Sequence, residues 1–214
     1  MTLKIHAFPL SPRGFKALWA VHHVGAGYEF RLVDLMKGDQ LRPDYVVLNP
    51  NKKMPTLEDG GFALWESNAI VEYLASKHPD AGLAPADAQM RASALQWMFW
   101  ESTTWDPACA ILAFERVVKG MFGRGAPDPI EVEKGLQKFN VAAGVLNGHL
   151  KGRSFMCGDR LSMADISIGA ALTLTEPAQL PLEDYPEIRR WGASLEALPS
   201  WRKTRAMQAA PAAA

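Results

Sequence analysis

Strand-forming patterns are confined to the first third of this chain and everything after them reads as helix, so the sequence divides into an α/β part and an all-helical part. Leu3 to Phe8 reads as a strand, Pro12 to Val24 as a helix and Glu29 to Asp34 as a strand, a βαβ opening. Thr56 to Glu58 and Ala63 to Trp65, separated by the turn signal Asp59-Gly60-Gly61, read as the two short strands of a hairpin. Asn68 to Lys77 reads as a closing helix, which completes a mixed four-stranded sheet with its helices.

From His78 to Asp87 breakers and small residues accumulate without any apolar period, as an interdomain connection should. The expected domains are therefore residues 1–80 and 88–210. A helix-compatible stretch runs from Ala88 to about Lys119, with a kink expected near Pro107, and the loop Gly120 to Pro129 breaks it. Val132, Leu136, Phe139, Ala143, Leu146 and Leu150 then recur at four- and three-residue steps, the signature of one buried helical face. Ser162-Met163-Ala164-Asp165 has the capping-box form ahead of the apolar run Ile166 to Leu174. Two shorter helices follow, one carrying Ile188, Trp191 and Leu195 and one starting around Pro199-Ser200-Trp201, before an alanine-rich tail expected to fray.

Composition limits the function classes. A chain of 214 residues that is 48% hydrophobic can bury a sizeable core. Its 23 Lys and Arg balance 23 Asp and Glu, so no broad field would draw in nucleic acid or an anionic membrane. Residues 1–10 lack the form of a secretory signal and no uncharged segment approaches a membrane span, so a soluble, cytoplasmic protein is expected. Cys109 and Cys157 lie far apart in no CxxC or metal spacing, which argues against a disulfide framework or a metal site.

Three segments can carry chemistry, and each also has a purely structural reading. Ser11-Pro12 fits N-cap and N1 of the first helix; the serine is either a cap alone or, at the partly positive helix start, a hydroxyl donor to an anion such as a thiolate. In Lys53-Met54-Pro55-Thr56, the proline is either an ordinary first residue of an edge strand or a cis residue that frees backbone groups for a peptide ligand. Trp65-Glu66-Ser67-Asn68 lies between a strand and a helix, and forms either a cap or a carboxylate site. All three fall at element junctions on what can be one edge of a sheet.

With these residues in view, the chain resembles the cytosolic glutathione transferases. LSPRGFKALWAVHHVG resembles the serine-bearing first helix, LNPNKKMPTLEDG the loop with its cis-proline, WESNAIVEYLA the γ-glutamyl site, and FMCGDRLSMADISIG the capping box and hydrophobic staple of the helical half. The resemblance is to serine-using, theta- and phi-like bacterial members, since no Tyr or Cys lies in the first strand or helix. It implies a thioredoxin-like domain followed by a helical bundle, glutathione as co-substrate, no metal or redox cofactor, and a homodimer. By motif, Ser11 would hydrogen-bond the glutathione sulfur, Met54 would pair its backbone with the cysteinyl residue beside a cis Pro55, and Glu66 and Ser67 would take the γ-glutamyl end. Gln40 and Lys53 resemble the residues meeting the glycine carboxylate. Arg13 would assist the thiolate, contact the second substrate or face solvent. Phe8, Leu10 and Pro12, with Trp105, Ala108, Cys109, Ile111, Leu112 and Phe114, are candidates for an apolar second-substrate pocket or for core.

The implied activity is conjugation of glutathione to small hydrophobic electrophiles. Two alternatives stay open at this stage: a glutathione-dependent peroxidase, isomerase or dehalogenase, and a non-catalytic interaction protein on the same fold. Retention of Ser11, Lys53, Glu66 and Ser67 together speaks against the last.

Overall fold

The computed structural model describes residues 2–209, and the alanine-rich tail expected to fray lies outside them. By its contacts the chain forms two compact units, one from the residues up to Ala84 together with those from Glu196 onward, the other from Pro85 to Leu195.

The first unit is built on a four-stranded sheet in the order β2-β1-β3-β4, from β1 (Leu3–Ala7), β2 (Tyr28–Leu32), β3 (Thr56–Asp59) and β4 (Phe62–Trp65). β1 runs parallel to β2 and antiparallel to β3, and β3 is antiparallel to β4. The mixed pattern follows from the connections. α1 (Pro12–Val24) crosses between β1 and β2, as a parallel pair requires, whereas a two-residue turn joins β3 to β4. In that turn Gly60 and Gly61 hold φ of 60° and 92°, conformations that suit glycine and match the twist of a hairpin. β1 alternates buried Leu3, Ile5 and Ala7 with half-buried Lys4 and His6, so one of its faces belongs to the core.

α1 presents Phe15, Leu18, Trp19 and Val21 to that core and packs beside α3 (Ser67–Lys77), which contributes Ile70, Val71 and Leu74. Between β2 and β3 lies α2 (Pro43–Leu48), a short helix that the sequence patterns do not mark; its one buried side chain, Tyr45, sits 5.9 Å from the His6 ring.

The second unit is helical. α4 (Ala88–Trp100), α5 (Asp106–Ala113) and α6 (Lys119–Met121) form one continuous rod, interrupted by two π-helical turns at Glu101–Trp105 and Phe114–Val118. The first of these turns ends beside Pro107, where the sequence predicts a kink. Proline has no N–H to offer and crowds the preceding turn, and the ladder widens just before it, with Asp106 N–H donating back to Glu101 O.

α7 (Pro129–His149) starts at Asp128, whose carboxylate accepts from Ile130 N–H at 2.9 Å, and buries Phe139, Ala143 and Leu146 as its period requires. α7 crosses the rod closely at Gly135, where a Cβ would stand 2.8 Å from a Leu112 methyl. α8 (Met163–Gly169) opens with the capping box. Asp165 accepts from Ser162 N–H (2.8 Å), Met156 N–H (2.8 Å) and Trp191 Nε1–H (2.9 Å), so this fully buried carboxylate ties together the loop, the helix start and α9 (Pro186–Glu196).

α10 (Pro199–Ala209) does not continue the helical unit. Its Trp201 meets Phe15 and Trp19 of α1 edge-on, both at 4.8 Å, so the closing helix belongs with the first unit although the expected helical domain ran to residue 210.

Candidate active site

Strand register fixes where the three chemistry-bearing segments meet. His6 of β1 pairs with Thr56 of β3, and Thr56 pairs with Trp65 of β4. The chain leaves β1 after Ala7, enters β3 from Pro55 and leaves β4 after Trp65. The Ser11 loop, the Met54–Pro55 bond and the Glu66-Ser67 pair therefore all emerge at the same end of the sheet. β2 ends there too, since Leu32 pairs with Ala7 and Val33 N–H donates to Ala7 O at 3.1 Å.

At that end Ser11 is the N-cap residue of α1 by its backbone, with φ −82° and ψ 132°, and its O accepts from Phe15 N–H at 2.8 Å. Its hydroxyl makes no capping hydrogen bond, so the cap-only reading does not describe what this side chain does. The loop before it is tight: Ser11 N–H donates to Phe8 O at 3.0 Å, and a Cβ on Gly14 would stand 2.3 Å from that same oxygen, so only glycine lets the helix start this close.

The Met54–Pro55 bond is cis. The loop in front of it is anchored by Asn49 and Thr56 of the same segment and by Tyr45, which lies outside any motif of the sequence. The Tyr45 hydroxyl donates to Lys53 O at 2.7 Å and lies 2.9 Å from Thr56 Oγ1, and Asn49 Nδ2 donates to Lys53 O at 2.8 Å. Burial pushes the Tyr45 phenol above its ordinary pKa, which keeps it a neutral donor.

Glu66 takes φ 72° and ψ 114°, outside the regions a side-chain-bearing residue prefers, and delivers Ser67 as the first residue of α3. Behind it the buried Lys16 of α1 donates to Asn68 Oδ1 at 2.9 Å and ties the starts of α1 and α3 together.

The sequence pattern of the glutathione S-transferase N-terminal domain matches residues 1–76, and that of the C-terminal domain matches residues 104–199. The chain belongs to the glutathione S-transferase family. Glutathione S-transferase D7 of Drosophila melanogaster is 35% identical over 191 residues, 88% of this chain and 82% of its own length. The solved structure of glutathione S-transferase III in its apo form superposes with a TM-score of 0.87 at 31% identity, with 100% of both chains covered. A glutathione transferase from Pseudomonas putida, solved with one glutathione disulfide bound per subunit, gives a TM-score of 0.85 at 28% identity over 95% of this chain and 90% of its own.

Within this transferase the remaining candidate residues separate by location. Phe8 and Pro12 are half-buried and Leu10 is exposed, all beside Ser11 in the chain. Gln40 follows β2 in a short 3-10 turn, and its Oε1 is enclosed without a hydrogen-bond partner. Lys53 and Arg13 are exposed.

Trp105 and Cys109, candidates for a pocket wall, are instead packed inside the helical unit, whereas Ala108, itself buried, lines an open cavity with Thr103, Pro107 and Val141. Trp105 is fully buried, with its ring 5.2 Å from Phe139 and stacked on Trp100, and its Nε1–H donates to Ile168 O at 3.2 Å. Burial, with Asp106 and Glu101 adding negative charge, pushes the Cys109 thiol well above its usual pKa, which disfavours the thiolate. Phe114 is exposed, with Lys119 Nζ 5.9 Å above its ring. No helix among the described residues is long and apolar enough to cross a membrane.

Proposed function

We propose that this transferase joins the thiol sulfur of glutathione to small apolar electrophiles, with Ser11 donating a hydrogen bond to the thiolate. The observation that carries the reading is the strand register, which sets Ser11, the cis Met54–Pro55 bond and Glu66-Ser67 at one end of the sheet while the Ser11 hydroxyl is not used as a cap.

A free thiol with a pKa of about 8.5 is only a few per cent ionised near neutrality, and the thiolate is the nucleophile. A hydrogen bond to a charged group contributes about 1.5–3 kcal/mol and one pKa unit corresponds to about 1.4 kcal/mol, so Ser11 would lower the pKa of the bound thiol by about one to two. Serine is far too weak a base to take the proton, which leaves to solvent. The sulfur then forms a C–S bond to the electrophilic carbon, and in a substitution the leaving group departs with its electron pair.

In this reading the Met54 backbone pairs with the cysteinyl residue of glutathione. Glu66, Ser67 and the first amides of α3 take the γ-glutamyl end. Lys53 meets the glycyl carboxylate together with Gln40, whose amide, turned over, would present its N–H₂ to an anion. Phe8, Leu10 and Pro12 would offer the second substrate apolar surface. The bound glutathione disulfide of the Pseudomonas putida relative supports the choice of co-substrate. The same reading makes residues 1–80 the glutathione-binding domain and the working form a cytoplasmic homodimer.

The test is a pH titration of thiolate absorbance in the glutathione complex of the native chain and of Ser11→Ala. The bound thiol pKa is expected to rise by about one to two in the variant. Equal acidity in both proteins, or no binding of glutathione to the native chain, would overturn the reading.

A further inference from the structure

The loop that carries Ser11 is gripped from the far end of the chain. α10 runs back along α1 with several points of attachment: Trp19 Nε1–H donates to Ser200 Oγ at 3.1 Å, Trp201 packs edge-on against Phe15 and Trp19, His22 Nδ1 lies 2.8 Å from Thr204 Oγ1, and the Tyr28 hydroxyl donates to Met207 Sδ at 3.7 Å. One turn beyond Thr204, α10 brings Gln208 to the β1–α1 loop. There Gln208 Nε2 donates to Pro9 O at 2.7 Å. Arg205, one turn earlier, donates to Gln208 Oε1, which sets the amide with its N–H₂ toward the loop.

We propose that Gln208 is a positioning residue for Ser11, acting through the Pro9 carbonyl; the inference rests on the proposed role of Ser11 as donor to the glutathione sulfur. The Pro9–Leu10 peptide lies one residue before Ser11 in the chain. Ser11 N–H is tied to Phe8 O, and the Gln208 bond fixes the tilt of the peptide plane between them. The Ser11 hydroxyl takes no support from a capping bond, so its place is set by the backbone that carries it. The strength of a hydrogen bond to a thiolate falls steeply as the donor is displaced or misaligned. Loss of the Gln208 donor therefore reaches the sulfur as a weaker Ser11 bond, while the groups that take the two ends of glutathione stay in place.

Gln208→Met keeps length without a donor, and Gln208→Glu keeps shape while turning an acceptor toward the Pro9 carbonyl. With either change the bound thiol pKa is expected to rise by about 0.5–1, less than in Ser11→Ala. At saturating glutathione this appears as a roughly three- to tenfold loss of rate at pH 6 that disappears on the alkaline plateau, because below the pKa the thiolate fraction falls about tenfold each time the pKa rises by one. At pH 6, where the bound sulfur is mostly thiol, KM for glutathione should stay within about twofold, since binding of the thiol form is untouched. Adding Gln208→Met to Ser11→Ala should move the pKa no further.

A role in stability alone would lower the melting temperature of Gln208→Met and Gln208→Glu without moving the bound thiol pKa, and that result overturns the inference. It is also overturned if the double variant changes the pKa by the sum of the two single effects. If Ser11→Ala leaves the thiol as acidic as in the native chain, the reading of Ser11 fails, and the inference fails with it. A higher pKa in Ser11→Ala with no change in the Gln208 variants sinks the inference alone.

Discussion

Glu66 holds φ 72° and ψ 114° between β4 and α3, a conformation that costs a residue with a side chain on the order of 1–3 kcal/mol and that persists because its surroundings require it. Strain of this kind, at a residue whose carboxylate is proposed to bind substrate, gives a separable prediction. Glu66→Gly relieves the backbone, so its urea unfolding midpoint should equal or exceed that of the native chain. The same change removes a charged hydrogen-bonding group from the site, and the dissociation constant for glutathione, read by calorimetry, should rise about tenfold or more. Ser11, Pro55, Glu66 and Ser67 were legible in the sequence because each sits at a junction where residue type and backbone conformation are coupled locally. Trp105 and Cys109 were not: an apolar residue in a continuous helical rod has the same pattern whether it faces a pocket or the core, and only the neighbours Phe139, Trp100 and Ile168 decide.

At the scale of elements, β1, α1, the β3–β4 hairpin, α3 and the capping box of α8 appear within a residue or two of where periodicity and turn chemistry put them. α2 escaped, because six residues with a single buried side chain carry no period. Its importance is that Tyr45 reaches across to hold the strand of chain before the cis peptide bond. Tyr45→Phe leaves Lys53 O and Thr56 Oγ1 with Asn49 as donor, at 2.8 and 3.3 Å, so the stability loss should be near the low end for a buried hydrogen bond, about 1 kcal/mol. The loop bearing Lys53 and Met54 loses one of its anchors, and glutathione affinity is expected to fall by about three- to tenfold in the same calorimetric assay. An affinity that stays level would mean that Asn49 alone holds the loop.

Over the whole molecule the first unit is made of two stretches of chain, with α10 returning to α1 across more than a hundred intervening residues. This clasp is expected to be pH-sensitive. The His22 ring, half-buried between Thr204 Oγ1 (2.8 Å) and the Tyr28 hydroxyl (2.8 Å), has its pKa lowered to about 4 by burial and then by Lys203, while burial raises Tyr28 to about 12. Unfolded, His22 would titrate near 6.5, so between about pH 6.5 and 4 the unfolded chain binds the extra proton. The stability held by neutral His22 is complete above about pH 6.5, drains away as the pH falls, and is gone near pH 4. Because the ring is partly solvated, the loss should amount to about 1 kcal/mol, or about 2–4 °C in melting temperature. Scanning calorimetry from pH 7.5 to 4.5 should find His22→Gln losing less than the native chain over that window.

The amino-acid sequence by itself determined the division into a sheet-containing part and a helical part, the strands and caps of the first eighty residues, and the motif residues that gather at one end of the sheet. These follow from interactions spanning a handful of residues: a proline that fixes φ, glycines that permit a hairpin turn, a serine or aspartate that satisfies the first amides of a helix. The tertiary structure alone decided that α10 joins the first unit, that the face bearing Trp105 and Cys109 is core, and that Tyr45, Asn49 and Gln208 brace the proposed site. Those outcomes depend on which surfaces meet after the chain has closed on itself, and no local preference of Gln208 records that Pro9, 199 residues away, offers it a carbonyl.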